Sequence, residues 1–384
     1  MNTKRICLVS SQYLPHVGGV ENYVYNLSRE LSERGHLVTI VTSLMEGTPE
    51  YEQNGNVEIY RLPSLQLMNG RFPVLKMSRA KKQLEEKFKS THFDMMLVNM
   101  RFFFISLWAV KLAKKLGIKC AVLDHGSSHL NTGGKLTSNL GELFEHYITW
   151  REKRYCKNFA GVSKESLNWL KHFKIKSDIL LNNAVDLEKF EKYVASPVKN
   201  FREEYGIPSN ATVISFVGRL TVEKGIQQLV NSVKRINETR KDVYLLAAGG
   251  GYLKEKLEGT KSENTYFVGQ VSTPEVASLL SASDIFCLPS FSEGFPTCVI
   301  EACVARNYII TTYRGDAKEI VSTPERGIIL PDNNEEGVYN ALLSILDAPE
   351  KRKTATDLCY ITVAENYTWR HTADAFLKLI DEIR

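Results

Sequence analysis

The sequence predicts an α/β protein made of two doubly wound parallel sheets, and three observations lead there. Short apolar runs such as Arg5–Ser10 and Thr212–Val217 alternate with helical patterns in both halves of the chain. At 384 residues the chain is too long for one ordinary core and fits two domains of nearly equal size. Glycines follow the strands at Gly18-Gly19, Gly218 and Gly249-Gly250-Gly251, where parallel sheets turn into helices and take ligands.

Composition narrows the class. The chain is 43% hydrophobic and 24% charged with a net charge of +5, which describes a globular protein without a nucleic-acid signature. The seven cysteines form no CxxC pair and lie in apolar runs, so they read as buried thiols in a reducing, cytoplasmic compartment. The longest apolar run, Phe102–Val110, is about half of the ~18 residues a membrane span needs. Residues 1–13 read as a first strand rather than a signal peptide.

In the first half, the run Arg5–Ser10 is followed by a loop and Gly18-Gly19. A helix then carries Val20, Tyr23, Val24, Leu27 and Leu31, ended by Gly35 as a left-handed cap. Strands are expected at Leu37–Thr42 and Val57–Arg61, then a Pro-containing loop. Residues 71–119 hold twelve Lys or Arg against three acids, on two expected helices at about 74–90 and 102–116. Basic faces beside apolar residues fit docking to anionic lipid headgroups, at about 1 kcal/mol per surface base. Strands follow at Met95–Asn99 and Cys120–Asp124, the latter running into His125-Gly126-Ser127-Ser128-His129. His125 therefore sits past the carboxyl end of a strand, where open sheets place ligands. A polar loop and helix span Asn131–Lys153, Phe159–Ser163 is a strand, and Ser163-x-x-Ser166 starts a helix. The domain junction falls at Asn183–Asp186, with a linker at Ala195–Asn200.

The second half restarts the pattern. Strands are expected at Thr212–Val217, Val243–Ala248, Tyr266–Val268, Ile285–Leu288 and Tyr308–Thr312, with helices from Ile226 and over Val276–Ser281. A last amphipathic helix covers Tyr367–Arg384. Arg219 and Lys224 both follow a strand's carboxyl end, where two cations could clamp a diphosphate.

The most informative stretch is Glu293–Glu301. Pro296 suits the first helical position, and the helix beyond it is apolar except for Glu301. An ionised carboxylate there needs donors. A nucleoside diphosphate supplies them, with phosphates at the positive helix end and ribose hydroxyls on Glu301. A core helix whose acid pairs with a protein cation is the competing reading.

These residues together resemble glycosyltransferase family 4, the retaining sugar transferases of GT-B fold, in which two Rossmann-like domains face each other across a cleft. The resemblance spans nearly the whole chain. It rests on Glu293-x7-Glu301 within Pro289–Pro296, on Gly218-Arg219-Leu220, Lys224-Gly225, Gly18-Gly19 and His125, and on Asn183-Ala184-Val185-Asp186 at the junction. Ala305-Arg306-Asn307-Tyr308 and Arg314–Glu319 depart from the family pattern at the rim expected to touch the sugar.

The resemblance implies an acceptor-side domain of residues 1–185 plus 366–384, the last helix crossing back, and a donor-binding domain of 186–365. It implies catalytic roles for His125, beside the reacting carbon, and for Glu293, at the sugar. Arg219 and Lys224 would hold the donor diphosphate and Glu301 the ribose. Gly294, Phe295, Pro296 and Thr297 would line the sugar and distal phosphate, and Gly18 and Gly19 would admit the diphosphate to the first helix. No Asp-x-Asp occurs, so no metal or other cofactor is expected at the diphosphate, and the two cations take that role. A same-face displacement, with the leaving phosphate taking the acceptor's proton, fits the lack of a candidate nucleophile. The expected partners are a nucleoside-diphosphate sugar, for instance a UDP-sugar, and a lipid-linked acceptor at the cytoplasmic membrane face, as in cell-envelope polysaccharide assembly. The other readings are a nucleotide-sugar 2-epimerase and a non-catalytic nucleotide-sugar-binding subunit.

Overall fold

The computed structural model describes residues 2–16, 18–68, 70, 72–129, 135–291, 293 and 295–383, and for 135–137 the backbone alone. The chain divides into two compact units, Met1–Asn183 with Trp369–Arg384, and Ala184–Thr368.

The first unit contains β1 (Arg5–Ser10), α1 (Gly19–Glu33), β2 (Leu37–Ser43), β3 (Tyr51–Asn54), β4 (Val57–Leu62), β5 (Ser64–Leu67), β6 (Phe72–Leu75), α2 (Arg79–Ser90) and β7 (Met95–Asn99). It continues with α3 (Phe104–Leu116), β8 (Cys120–Asp124), α4 (Lys135–Glu152), β9 (Asn158–Gly161), α5 (Lys164–His172) and β10 (Ile179–Leu180). Its sheet runs β10-β9-β8-β7-β1-β2-β4-β3, parallel except for β3 at the edge. The central strands are buried on both faces, which is why β1, β7 and β8 read as continuous apolar runs rather than alternating ones.

The second unit contains α6 (Leu187–Ala195), α7 (Phe201–Glu204), β11 (Thr212–Val217), α8 (Ile226–Ile236), β12 (Val243–Ala248), α9 (Lys254–Glu258), β13 (Thr265–Gly269) and α10 (Thr273–Ser281). It continues with β14 (Ile285–Leu288), α11 (Thr297–Val304), β15 (Tyr308–Thr312), α12 (Ala317–Ile320), β16 (Gly327–Leu330), α13 (Glu335–Leu346) and α14 (Pro349–Asn366). Its six strands are all parallel, in the order β13-β12-β11-β14-β15-β16. The doubly wound α/β class expected from the alternation is the fold observed. The last helix, α15 (Trp369–Glu382), belongs to the first unit.

Several expectations need correction. The Pro-containing loop after β4 is a hairpin, β5 against β6, and the helix expected from about residue 74 starts at Arg79 under a Ser78 cap. Residues 195–200 lie within the second unit, where the Val198 N–H donates to Ser278 Oγ at 2.9 Å. Pro296 is the N-cap of α11, with φ −80° and ψ 91°, rather than its first residue.

Candidate functional site

In the second unit the site is built around the exit of β11. The 3-10 turn Val222–Lys224 ends on Gly225, whose φ is +69°. A Cβ there would lie 2.0 Å from the Pro289 carbonyl oxygen, so only glycine lets the turn lie against the end of β14. Hydrogen bonds lock the two loops together. The Phe291 N–H and the Ser290 hydroxyl both donate to the Glu223 carbonyl, each at 3.0 Å. Lys224 is thereby delivered to Glu293, with Nζ 2.5 Å from Oε1 and both side chains largely buried. Arg219, on the same exit loop, is exposed and makes no salt bridge among the described residues.

α11 follows without a side-chain cap, so its first N–H groups present a positive helix end. Val299, Ile300, Ala302, Cys303 and Val304 are buried in the core of this unit, leaving Glu301 as the lone carboxylate of the helix. Its side chain has no hydrogen bond or salt bridge to any described residue, and desolvation pushes its pKa up to about 7. Among the described residues no protein cation neutralises this acid, against the competing reading. Phe295 packs on Tyr367 with ring centroids 5.6 Å apart. Lys224, Glu293, Pro296, Thr297 and Glu301 all belong to this assembly, while Gly294 lies outside the described residues.

The first unit holds the other predicted residues. His125 follows Asp124 at the end of β8, and its Nε2 lies 3.2 Å from Asn99 Oδ1. Asn99, at the end of β7, donates its own amide to the Val9 carbonyl at 3.2 Å, which turns its oxygen toward the ring. His125 Nε2 must then carry the proton and donate, leaving Nδ1 as the free acceptor. Burial pushes the His125 pKa down to about 3, so the ring is neutral. Tyr23 of α1 stands edge-on to it, 4.9 Å between centroids, and ties α1 to the same loop. Gly19 has open space where a side chain would go. At Gly18 the neighbour is Glu21, whose Oε2 would lie 2.4 Å from an added Cβ and whose Oε1 meets His16 Nδ1 at 3.1 Å.

Beneath the His125 loop lies a buried charge network that the sequence did not announce. Arg101 is 1% exposed, reaches Asp124 Oδ2 at 3.0 Å, Thr149 at 3.2 Å and Glu145 at 3.7 Å, and stacks over Phe173 at 3.6 Å. Desolvation raises the Asp124 pKa, opposed by Arg101, and raises Glu152 well above the usual carboxylate range. Asn99, Tyr23 and Arg101 lacked any motif; their roles come from strand register and burial. His129, His146 and His172 also gather in this unit, their ring nitrogens within 4.8 Å of one another.

The charge expected on a docking face is distributed unevenly. In α2, Lys81 pairs with Glu85, Lys87 with Glu58 and Lys89 with Glu86. Around Tyr155, by contrast, Lys111 and Lys114 of α3 come within 5.5 and 5.7 Å of the ring. α4 buries Glu145, Ile148, Thr149 and Glu152 and leaves Leu140, Leu143, Tyr147 and Trp150 exposed. Arg151 donates to the Tyr147 hydroxyl at 2.8 Å, and Arg154 stacks 3.7 Å over Trp150. Among the described residues no helix is long and apolar enough to cross a membrane.

Two family models match the chain, "Glycosyl transferases group 1" over residues 197–357 and "Glycosyltransferase Family 4" over 17–189. The chain belongs to glycosyltransferase family 4. It is a retaining glycosyltransferase that uses a nucleotide-sugar donor. An uncharacterized glycosyltransferase of Methanocaldococcus jannaschii is 24% identical over the full length of both chains. One subunit of the human phosphatidylinositol N-acetylglucosaminyltransferase is 25% identical over 99% of this chain and 76% of its own. Among solved structures, a Rickettsia africae glycosyltransferase superposes with TM-score 0.76 at 20% identity, covering 100% of this chain and 99% of that one. Anabaena HepE in complex with UDP and glucose gives TM-score 0.72 at 12% identity, covering 99% and 100%. These likenesses establish the GT-B fold.

Proposed function

We propose that this family 4 glycosyltransferase moves a sugar from a nucleoside-diphosphate sugar to a hydroxyl of a lipid-linked acceptor at an anionic, cytoplasmic membrane face, in cell-surface polysaccharide assembly. On the donor side, the ribose hydroxyls donate to Glu301 and the diphosphate lies at the amino end of α11 between Arg219 and Lys224. Glu293 orients Lys224 before the donor arrives and contacts the sugar with residues 294–297. The two cations and the helix end stabilise the charge that develops on the leaving diphosphate, in a field already set before reaction. The bond from the anomeric carbon to the diphosphate breaks, the acceptor oxygen bonds to the same face, and the acceptor proton passes to the leaving phosphate. Neutral His125, with Nδ1 free to accept, acts beside the reacting carbon. Gly19 leaves the start of α1 open to the diphosphate, whereas the space beside Gly18 is taken by the Glu21 carboxylate. UDP is the favoured nucleotide to try first, since the Anabaena neighbour carries it.

The acceptor half of this reading is carried by one observation: the exposed row Leu140, Leu143, Tyr147 and Trp150, with an arginine on each aromatic ring. Apolar side chains that enter the headgroup boundary, backed by bases that meet anionic lipid at about 1 kcal/mol each, favour an interfacial helix. The human relative named for phosphatidylinositol points the same way. The test is flotation with vesicles of neutral lipid and with vesicles containing phosphatidylglycerol. Binding should need the anionic lipid, weaken with salt, and fall at least tenfold in a Leu143→Ser/Trp150→Ser double variant whose circular dichroism is unchanged. Equal binding to neutral vesicles, or none to either, would rule the membrane reading out. An inverted product or a trapped sugar–protein adduct would rule out the same-face step.

A further inference from the structure

We propose that His129, His146 and His172 form a zinc-type divalent metal site in the first unit, apart from the donor chemistry. The three residues come from three elements: the loop after β8, the exposed face of α4 and the last residue of α5. His172 Nε2 lies 3.2 Å from His129 Nε2 and 3.1 Å from His146 Nε2. Ligand nitrogens about 2.0–2.1 Å from a tetrahedral zinc stand about 3.3–3.4 Å apart; the two contacts of His172 are close to that spacing, and all three ligand nitrogens lie within 4.8 Å of one another.

With its rings neutral, the cluster has few hydrogens to place between its nitrogens. A neutral imidazole nitrogen offers either one hydrogen or one lone pair. His129 Nδ1 lies 2.9 Å from Glu145 Oε2, so Nδ1–H donates there and Nε2 turns a lone pair into the cluster. His172 Nε2 then either turns its own lone pair toward that of His129 or shares a single hydrogen between two neighbours. A cation accepts all three lone pairs at once.

The surroundings are those of a supported ligand set. Glu145 is 1% exposed and itself faces Arg101, so it fixes the orientation of the His129 ring, as carboxylates behind metal-bound histidines do. The His172 ring stacks on Trp169 with centroids 4.9 Å apart and planes 4° apart. Glu142 Oε1 lies 3.3 Å from His129 Nε2 and is half-exposed, so it or a water takes the fourth position. Three imidazoles with an oxygen favour zinc, and the same set takes cobalt as a spectroscopic substitute. The bound ion would tie the loop that carries His125 to α4 and α5.

The experiment is to strip the full-length protein with chelator and titrate it with Co2+ and Zn2+ alone. One equivalent of Co2+ should give the intense visible bands of a tetrahedral site, and Zn2+ should displace it and raise the melting temperature. His146→Ala and His172→Ala, both at exposed positions, should each weaken Zn2+ binding at least tenfold, whereas His92→Ala should not. X-ray absorption on the unaltered zinc protein should show imidazole nitrogens at about 2.0–2.1 Å, a readout that does not depend on any variant folding. Absence of the cobalt bands, a zinc shell without histidine, or binding unchanged by both histidine substitutions would each overturn the proposal.

Discussion

Glu301 sets the pH behaviour of the donor site. An acid in a protein interior favours its neutral form, and here that moves titration from the usual carboxylate range to about 7. In the unfolded chain it ionises first. Between pH 4.5 and 7 this carboxyl is therefore more protonated in the native state than in the unfolded one, and its share of stability falls as pH rises through that window. Glu301→Gln should remove this falling contribution, so that the rise from His125 below about pH 6.5 stands unopposed by it, and leave the protein more stable at pH 8 by about 1–2 kcal/mol. Nucleotide binding works in the opposite sense. Ribose hydroxyls that donate to the carboxylate favour its ionised form, so binding at pH 7 should expel part of a proton to the buffer. Calorimetry in buffers of different ionisation enthalpy measures this directly. A binding enthalpy independent of buffer, or a proton release that survives Glu301→Gln, would remove Glu301 from the ribose. His125 contributes a limb of opposite sign: burial holds it neutral in the native state down to about pH 3, while the unfolded chain protonates it below 6.5, so its share of stability rises with pH between those values.

Among the elements, the turn that ends on Gly225 decides where Lys224 points. Alanine there would need a left-handed conformation and would meet the Pro289 carbonyl at 2.0 Å. Left-handed backbone costs a non-glycine residue about 1–2 kcal/mol, and the overlap adds to it. Gly225→Ala should therefore cost at least about 2–3 kcal/mol in urea unfolding and weaken nucleotide binding; a loss under about 0.5 kcal/mol would mean the two loops are not packed this way. This turn was legible as a Lys-Gly pair after a strand, because glycine and the apolar run of β11 each carry a local signal. The same signal located β1, β7, β8, β12, β14 and β15, all buried on both faces. The strands β3, β5 and β6 gave none, since four residues are too short for a run or an alternation, and β3 and β5 are largely exposed. α4 was legible as a helix but not as a surface: its inward face carries Glu145, Thr149 and Glu152 around Arg101 beside Ile148, while Leu140, Leu143, Tyr147 and Trp150 face outward. The histidine cluster had no signal either, because its members lie 17 and 26 residues apart and meet only through tertiary packing.

At the scale of the whole molecule, the chain's end completes its beginning. α15 buries Trp369, Ala373, Phe376, Leu379 and Ile380 in the first unit. Trp369 meets Tyr23 at 5.2 Å, the Thr372 hydroxyl donates to the Asn182 carbonyl at 2.8 Å, and Asp374 and Asp381 pair with Arg34 and Lys4 at 2.6 and 2.7 Å. Each large apolar side chain buried fully contributes about 1.5–3 kcal/mol, so the four large ones together approach the 5–15 kcal/mol that holds a typical domain folded. The second unit keeps its own core, drawn entirely from residues 185–367. Removing residues 369–384 should thus unfold the half farthest from the cut in sequence. In hydrogen exchange the truncated chain should lose protection across β1, α1 and β2, while β11, β12, β14 and α11 stay protected and nucleoside diphosphate still protects residues 219–225 and 295–301. Full protection of residues 5–43 after truncation would show that α15 is an accessory to the first unit rather than part of its core. Loss of protection in both units would show instead that the donor-binding half depends on the other for its fold, a dependence that two separate hydrophobic cores do not require.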